Sequence, residues 1–323
     1  GLKRMTNANR FPTAFNVVFE PATGRLESLL AELRWRGDTV IAQDGGLVFA
    51  QGSARPAAWA QNTWLDPRVL SIDSIGDAAR QLRAIQRNWW SRPTSTYRRA
   101  ALIAQRMPHI SASELKFPTP PPDASLGAWT LADRDTMIAS PTTSSVFPGG
   151  CPRFIEDRYG PPNRAYLKLW EALTLARTWP KAGQTVLDLG ASPGGWSWVV
   201  ASLGAEVIAI DRASLNPSVA AQGRVSVARG DAFKLGVADV GTPDWVIADI
   251  VAYPDRMIDL AAYWARAAPT AALIMTIKFR RCADPEVLRS LQAIPGGRLM
   301  HLAANKNELT FFRLPHGGPA EAA

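Results

Sequence analysis

The stretch Val186-Leu187-Asp188-Leu189-Gly190-Ala191-Ser192-Pro193-Gly194-Gly195-Trp196-Ser197 decides how this chain is read. An apolar strand pattern runs into a turn of small residues and out into a helical segment. Glycine in such a turn lets a ligand approach the backbone closely, because no Cβ stands in the way. The spacing is Gly-x-x-x-Gly-Gly, not the Gly-x-Gly-x-x-Gly of a dinucleotide site, and no Gly-Lys-Ser/Thr follows as a P-loop requires. Asp211 closes the next expected strand, Glu206 to Ile210, where a carboxylate can accept both hydroxyls of a ribose. The pattern describes a nucleoside site without a pyrophosphate subsite.

S-adenosylmethionine fits that description. The expected cofactor contacts are Gly190, Ser192, Pro193, Gly194, Gly195, Trp196 and Asp211. Trp196 could flank the cofactor or belong to the core, and Asp188 is expected to serve structure by bonding loop amides.

With 323 residues, 47% of them hydrophobic, the chain can bury a sizeable core and is expected to hold two domains. No apolar run reaches the length of a membrane span, and nothing at the start resembles a signal peptide. Residues 1–11 read as a disordered start or cloning remnant. Two cysteines, Cys151 and Cys282, give neither metal spacing nor a disulfide framework, so a reducing cytoplasm is the expected location. The formal charge is +8, and residues 1–100 hold 14 Lys/Arg against 8 Asp/Glu. Such a surplus favours polyanionic partners.

Residues 12–110 read as a small α+β domain. Phe15 to Glu20 suits a strand and Arg25 to Arg36 a helix carrying Leu26, Leu29, Leu30 and Leu33. Thr39 to Ile41 and Gly46 to Ala50 suit a hairpin around Asp44-Gly45, and a helix is expected from Ile75 to about Trp89. Residues 111–150 are rich in proline, so long regular elements are not expected. Leu126, Trp129, Leu131 and Met137 nevertheless suggest that this connecting segment packs over the second domain. Residues 151–314 read as α/β and 315–323 as a tail. A helix over Ala165 to Ala176 precedes strands near 185–190, 206–210, 224–229, 244–249, 272–277, 297–302 and 308–313, most of them separated by helices. That alternation implies a mostly parallel sheet covered on both faces, and the last two strands, lacking a helix between them, suggest an antiparallel end.

Four polar residues fall at strand ends or on the helix before the sheet. Lys168 borders the apolar stripe Ala165, Leu169, Ala172, Ala176. Asp249 follows Trp245-Val246-Ile247-Ala248, Lys278 ends the strand from Ala272, and Glu308 opens the final strand. In open α/β sheets the ligand crevice lies at the carboxyl ends of the parallel strands, where Asp249 and Lys278 should meet. Glu308 reaches the same edge if its strand is antiparallel.

Asn163-Arg164-Ala165-Tyr166-Leu167-Lys168-Leu169, the glycine loop, Ala248-Asp249-Ile250, Lys278 and Glu308 together resemble the FtsJ/RrmJ-type RNA ribose 2′-O-methyltransferases. Asp249-Ile-Val-Ala-Tyr-Pro254 and the N-terminal extension are most similar to the RlmM-like branch, which acts on large-subunit ribosomal RNA. The resemblance implies a class I, Rossmann-like methyltransferase sheet and a Lys-Asp-Lys-Glu tetrad at Lys168, Asp249, Lys278 and Glu308. It also implies S-adenosylmethionine as methyl donor, an adenine contact from Asp231, cofactor contact from Asp249, and an abbreviated THUMP-like RNA-binding domain at the N-terminus. The chain departs from the usual motifs at Asn163, where serine is frequent, and at Asn305-Lys306-Asn307 before Glu308.

The chemistry suits the residue types. A ribose hydroxyl is a weak nucleophile, so a base must take its proton as the methyl group is attacked, and Lys278 is the candidate. An ammonium cannot act as a base: Asp249 favours the charged form, whereas burial, Lys168 and a nearby sulfonium favour the neutral amine. Glu308 would orient a lysine or the ribose. For RNA, Arg280 and Arg281 lie just beyond Lys278. Trp89-Trp90-Ser91-Arg92 and Tyr97-Arg98-Arg99 interleave aromatics with Arg92, Arg98 and Arg99, a mixture that stacks bases and holds phosphates unless the tryptophans are core. The expected partner is RNA, ribosomal RNA first, with transfer RNA or a messenger cap ribose as the other substrates and a non-catalytic RNA-binding protein as the other class. No metal site is expected.

Overall fold

Apolar runs that alternate with helices from residue 163 onward build one seven-stranded sheet. The computed structural model describes residues 14–315. The expectations for residues 1–11 and for the tail beyond 315 fall outside them. The chain divides into two units, Gly1–Glu114 with Pro122–Arg153, and Leu115–Pro121 with Phe154–Ala323.

The N-terminal unit contains two four-stranded sheets. In the first, β1 (Val17–Pro21), β2 (Thr39–Asp44), β3 (Leu47–Gln51) and β4 (Ala60–Trp64) lie in the order β2-β3-β1-β4, all antiparallel. Gly45-Gly46 makes the expected hairpin turn, and α1 (Leu26–Arg36) buries Leu29 and Leu33. In the second, β5 (Arg68–Ser71), β6 (Trp89–Ser91), β7 (Gly127–Leu131) and β8 (Thr136–Ser140) follow the order β5-β8-β7-β6, with α2 (Ile75–Ile85) and α3 (Tyr97–Ala104). Ser74 caps α2 by accepting from the amide of Asp77 at 3.0 Å.

Two expectations are corrected here. The helix from Ile75 ends at Ile85, because Gln86 is extended and Trp89 enters β6 alongside Gly127. The segment 111–150 is not a mere connecting segment, since its strands β7 and β8 belong to the N-terminal unit. Its prolines flank these strands at 118–122 and 141–148 and leave 127–140 free of proline, so no ladder donor is lost. Only Leu115–Pro121 joins the C-terminal unit, where Phe117 stacks on Trp170 with ring centroids 4.9 Å apart.

The C-terminal unit runs α4 (Tyr166–Leu175), β9 (Thr185–Leu189), α5 (Gly195–Ser202), β10 (Glu206–Asp211), α6 (Pro217–Ala220), β11 (Val225–Arg229) and α7 (Val237–Val240). It continues through β12 (Trp245–Ala248), α8 (Pro254–Ala267), β13 (Ala272–Lys278), α9 (Pro285–Gln292), β14 (Gly297–Met300) and β15 (Glu308–Arg313). The strand order is β11-β10-β9-β12-β13-β15-β14. Strands β9 to β13 are parallel, and β15 is antiparallel to both neighbours. The last strand of the chain is thus antiparallel as expected, but it is inserted between β13 and β14 rather than lying at the edge. Val186, Leu187, Val246, Leu273 and Ile274 are fully buried, as strands covered on both faces require.

The order reverses between β9 and β12, which are neighbours although β10 and β11 intervene in sequence. A crevice opens at the carboxyl ends of strands at such a switch point. The glycine loop follows β9 and Asp249 follows β12, so this topology brings the two sequence signals to one place. Among the described residues no helix is long and apolar enough to cross a membrane.

Candidate active site

The loop after β9 turns sharply at Gly190 (φ +70°) and Gly194 (φ +116°), backbone conformations that side chains with a Cβ avoid. A Cβ on Gly190 would also stand 2.6 Å from Cγ1 of Ile250, in the loop after β12. The first amides of the loop are engaged. Gly190 and Ala191 both donate to the Ile210 carbonyl, at 2.8 and 3.1 Å, and Ser192 donates to Oδ2 of Asp211 at 2.9 Å. Residue 193 is proline and has no N–H. The first three amides of the loop are thus spent on β10. A nucleoside carrying a positive charge asks for carboxylates, and these are present. Asp211 ends β10, Asp231 follows β11, and Asp249 follows β12. The donor set therefore fits S-adenosylmethionine.

The individual carboxylates are held in different ways. Asp211 is half-buried and accepts from the amides of Ser192 and, at 2.8 Å, Ala213, which fixes its orientation at the strand end. Asp231 accepts from the amide of Phe233 at 3.0 Å and pairs with Arg212. The amide bond from Phe233 outweighs the opposing effect of burial and, helped by the Arg212 guanidinium, holds its carboxyl below the usual range. Asp188 is buried beneath the loop and accepts from Oγ of Ser197 at 2.7 Å. Burial raises its pKa to about 7, with Asp249 and Asp211 adding to the rise and Ser197 opposing it. It ties β9 to α5 through the Ser197 hydroxyl of the helix. Of the two readings of Trp196, the core one agrees with the structure: its ring is buried in the core and its indole N–H donates to the Ala165 carbonyl at 2.9 Å, so the side chain locks α5 to the start of α4.

Across the crevice four charged side chains converge. Nζ of Lys168 lies 2.8 Å from Oδ2 and 2.9 Å from Oδ1 of Asp249, and 3.1 Å from Oε1 of Glu308. Nζ of Lys278 lies 3.2 Å from Oδ1 of Asp249. Register explains the meeting. Lys278 and Glu308 are directly opposed partners in the antiparallel β13–β15 pair, and Asp249 emerges from the strand beside β13. Lys168 comes from α4, whose residues 168–174 are all buried, so it sits inside the helix interface rather than bordering the stripe. Burial pushes the Asp249 carboxyl up, but the ammoniums of Lys168 and then Lys278 outweigh it and hold the group below its ordinary value.

Two further residues hold this cluster; Asn305 stood out in the sequence only as a departure from the usual motif, and Glu171 did not stand out at all. Asn305 is buried, donates from Nδ2 to Oε1 of Glu308 at 3.1 Å, and accepts from Oγ1 of Thr310 and the amide of Leu302. Glu171, one turn beyond Lys168, accepts from the amides of Ala303 and Ala304 at 2.8 and 3.3 Å. It thereby clamps the loop between β14 and β15 onto α4. Burial raises its pKa to about 7 despite those two amide bonds. An acidic residue inside the apolar run Tyr166 to Leu175, three positions from Lys168, was the available signal.

The arginines expected to hold RNA lie in different surroundings. Arg280 and Arg281 are exposed beyond Lys278. In the N-terminal unit Arg98 is exposed and Arg99 half-buried on α3, whereas Nε of Arg92 lies 3.7 Å from Glu20. Trp89 is core, its indole N–H shared by the carbonyls of Leu82 and Gln86, so the first aromatic–arginine run is partly structural.

Residues 161–278 match the family model of FtsJ-like methyltransferases, a range holding Lys168, the glycine loop, Asp249 and Lys278. The chain is 33% identical over 166 residues to a ribosomal RNA large subunit methyltransferase M of Halorhodospira halophila, covering 50% of this chain and 48% of that protein. It is 32% identical over 201 residues to the protein of that name from Aromatoleum aromaticum, covering 60% and 51%. The chain thus spans about half the length of the curated relatives it matches. Among solved structures, a Methanococcus jannaschii fibrillarin pre-rRNA processing protein is similar with a TM-score of 0.38 and 22% identity over 48% of this chain and 77% of that one. Three of the four clustered side chains lie within the range that is similar to FtsJ-like methyltransferases.

Proposed function

We propose that the C-terminal unit transfers a methyl group from S-adenosylmethionine to the 2′-oxygen of an RNA ribose, and that the RNA is large-subunit ribosomal RNA. The observation that carries this reading is the Lys168–Asp249–Lys278–Glu308 cluster, with every link at 3.2 Å or less, at the same carboxyl-end edge of the sheet as the glycine loop. The similarity to large-subunit ribosomal RNA methyltransferases supports the choice of RNA. We infer a cytoplasmic location from the ribosomal RNA substrate.

The bound cofactor supplies an electrophilic methyl group on a sulfonium. In this reading the loop from Gly190 to Gly195 would hold its nucleoside part, Asp211 would take the ribose hydroxyls and Asp231 the adenine amino group, and Asp249 would complete the same pocket. The two lysines have different parts. Lys168 is 11% exposed at its side chain and spends its ammonium on two carboxylates, which suits a fixed cation that organises the cluster. Lys278 is 25% exposed and lies toward the mouth with Asp249 as its partner. As the neutral amine, Lys278 takes the proton of the 2′-hydroxyl, and Asp249 aims it. Glu308, held by Asn305 and Lys168, keeps the geometry fixed, so that much of the acceleration comes from alignment of bound reactants. Arg280 and Arg281 contact backbone phosphates near the target ribose, and the basic N-terminal unit, with Arg92, Arg98 and Arg99, adds affinity for RNA.

Incubating the purified chain with S-adenosylmethionine and unmodified large-subunit ribosomal RNA, then digesting the RNA and measuring 2′-O-methylnucleosides by mass spectrometry, tests the proposal. A single methylated ribose is expected. Methylation confined to bases, or to transfer RNA offered in parallel, overturns the reaction or the substrate assignment respectively.

A further inference from the structure

The loop that follows Asp249 exposes apolar surface at the mouth of the crevice. Val251 is 84% exposed and Tyr253 58% exposed. The guanidinium carbon of Arg280 lies 4.5 Å from the centroid of the Tyr253 ring. Both residues belong to loops at the carboxyl ends of adjacent parallel strands, four positions after Asp249 and two after Lys278. Neither loop is loosely held. Tyr253 precedes Pro254 at the start of α8, and its carbonyl accepts from the amides of Arg256 and Met257. Nδ2 of Asn307 donates to the carbonyls of Phe279 and Arg281 at 2.8 and 3.1 Å, and the amide of Phe279 donates to the Asn307 carbonyl. Asn307 itself precedes Glu308, so the Arg280 loop is fastened to the strand that supplies the cluster.

An exposed aromatic ring beside a cation costs a protein apolar surface in water. Here the ring's backbone is anchored at the start of α8, a guanidinium lies over the ring, and both come from the loops that follow Asp249 and Lys278. Bases splayed out of single-stranded RNA stack on such rings, while an arginine edge bonds the phosphate of the same nucleotide. We propose that Tyr253 and Arg280 form a base-stacking platform that seats a nucleotide adjoining the target ribose, making Tyr253 an RNA-binding residue in addition to the clustered four. The inference rests on the methyl-transfer reading for which nucleotide is seated, but the platform itself is a binding site for unpaired RNA. Stacking is tolerant of base identity, so the platform positions the strand rather than choosing its sequence.

The test uses the full chain and a fluorescein-labelled single-stranded RNA of mixed sequence, with an abasic oligomer of the same length as a phosphate-only control. Binding is read by fluorescence anisotropy, and S-adenosylmethionine affinity by calorimetry as the check on folding. Tyr253→Ala is expected to weaken RNA binding about tenfold, the loss of one stacked base, and to leave binding of the abasic oligomer unchanged. Tyr253→Phe keeps the ring and should bind RNA as the wild type does. Arg280→Ala should weaken both probes. Wild-type RNA affinity in Tyr253→Ala, with cofactor affinity intact, overturns the platform. Weakened RNA binding by that variant, together with no methyl transfer by the wild type, keeps the platform and removes the methyl-transfer reading instead.

Discussion

Replacing Lys168 with methionine removes the hub of the charged cluster while keeping much of its volume. In the wild type Lys168 contacts both oxygens of Asp249, at 2.8 and 2.9 Å, and Glu308 at 3.1 Å. With an effective dielectric of about 20, each carboxylate at such a distance attracts the ammonium by roughly 5 to 6 kcal/mol. Desolvation offsets much of that. The relevant quantity is the cost of leaving two carboxylates, with side chains 15% and 11% exposed, without their cation. Removing one partner of a buried pair typically costs about 3–5 kcal/mol. For a unit of this size that corresponds to a fall in melting temperature on the order of 10 °C at neutral pH. The pH dependence has a definite sign. The lysines hold Asp249 below its ordinary value, so its contribution to wild-type stability is present above pH 3.8 and lost as pH falls below it. In Lys168→Met that carboxyl loses its main opposing cation, burial raises its pKa, and the variant is penalised as pH rises. The difference in melting temperature between variant and wild type, followed by tryptophan fluorescence, should therefore be larger at pH 8 than at pH 5. A difference below about 1 °C at both pH values would show that the cluster is not held together by Lys168 and refute the reasoning.

Three further outcomes follow from the same geometry. Glu171 has a folded pKa of about 7 against 4.5 when unfolded, so the fold retains its proton and stability falls as pH rises through that window. Glu171→Gln should remove about 3 kcal/mol of the pH-dependent loss between pH 4.5 and pH 8, and urea titrations with equal pH slopes for variant and wild type would exclude this. Asp211→Ala removes the acceptor for the amides of Ser192 and Ala213 and should weaken S-adenosylmethionine binding by roughly tenfold or more, an effect that calorimetry measures directly. Gly190→Ala, with φ +70° and a Cβ 2.6 Å from Ile250, should cost about 1–2 kcal/mol of stability and distort the loop, which a thermal melt and the same calorimetry would reveal.

Much of this site could be read from residue order because its parts are local. The glycine loop is contiguous, and Asp249 and Lys278 each end an apolar run, so placing them at strand ends placed them in the crevice. Glu308 needed one more inference, an antiparallel last strand, and the Lys278–Glu308 register supplies it. What escaped depends on burial across elements. Glu171 looks like a solvated helix face until the loop from Leu302 to Asn305 folds over it. Asn305 and Asn307, where the usual motif differs, turn out to hold Glu308 and the Arg280 loop respectively. Prolines hid β7 and β8 because their density in 111–150 masked the proline-free interval between them. The tryptophan pair drew attention as an RNA platform, yet Trp89 is a core residue, whereas exposed Tyr253 carries no periodic signature at all.

The measurement that bears most directly on the central claim is ribose mapping by mass spectrometry of total RNA from cells with and without this protein, complemented by wild type or Lys278→Ala. The account predicts one 2′-O-methyl mark lost from large-subunit ribosomal RNA, restored by wild type and not by Lys278→Ala, with the variant still binding S-adenosylmethionine within a few-fold of wild type. Restoration of the mark by Lys278→Ala would contradict the role given to that lysine, and loss of no mark from any RNA would contradict the proposed reaction.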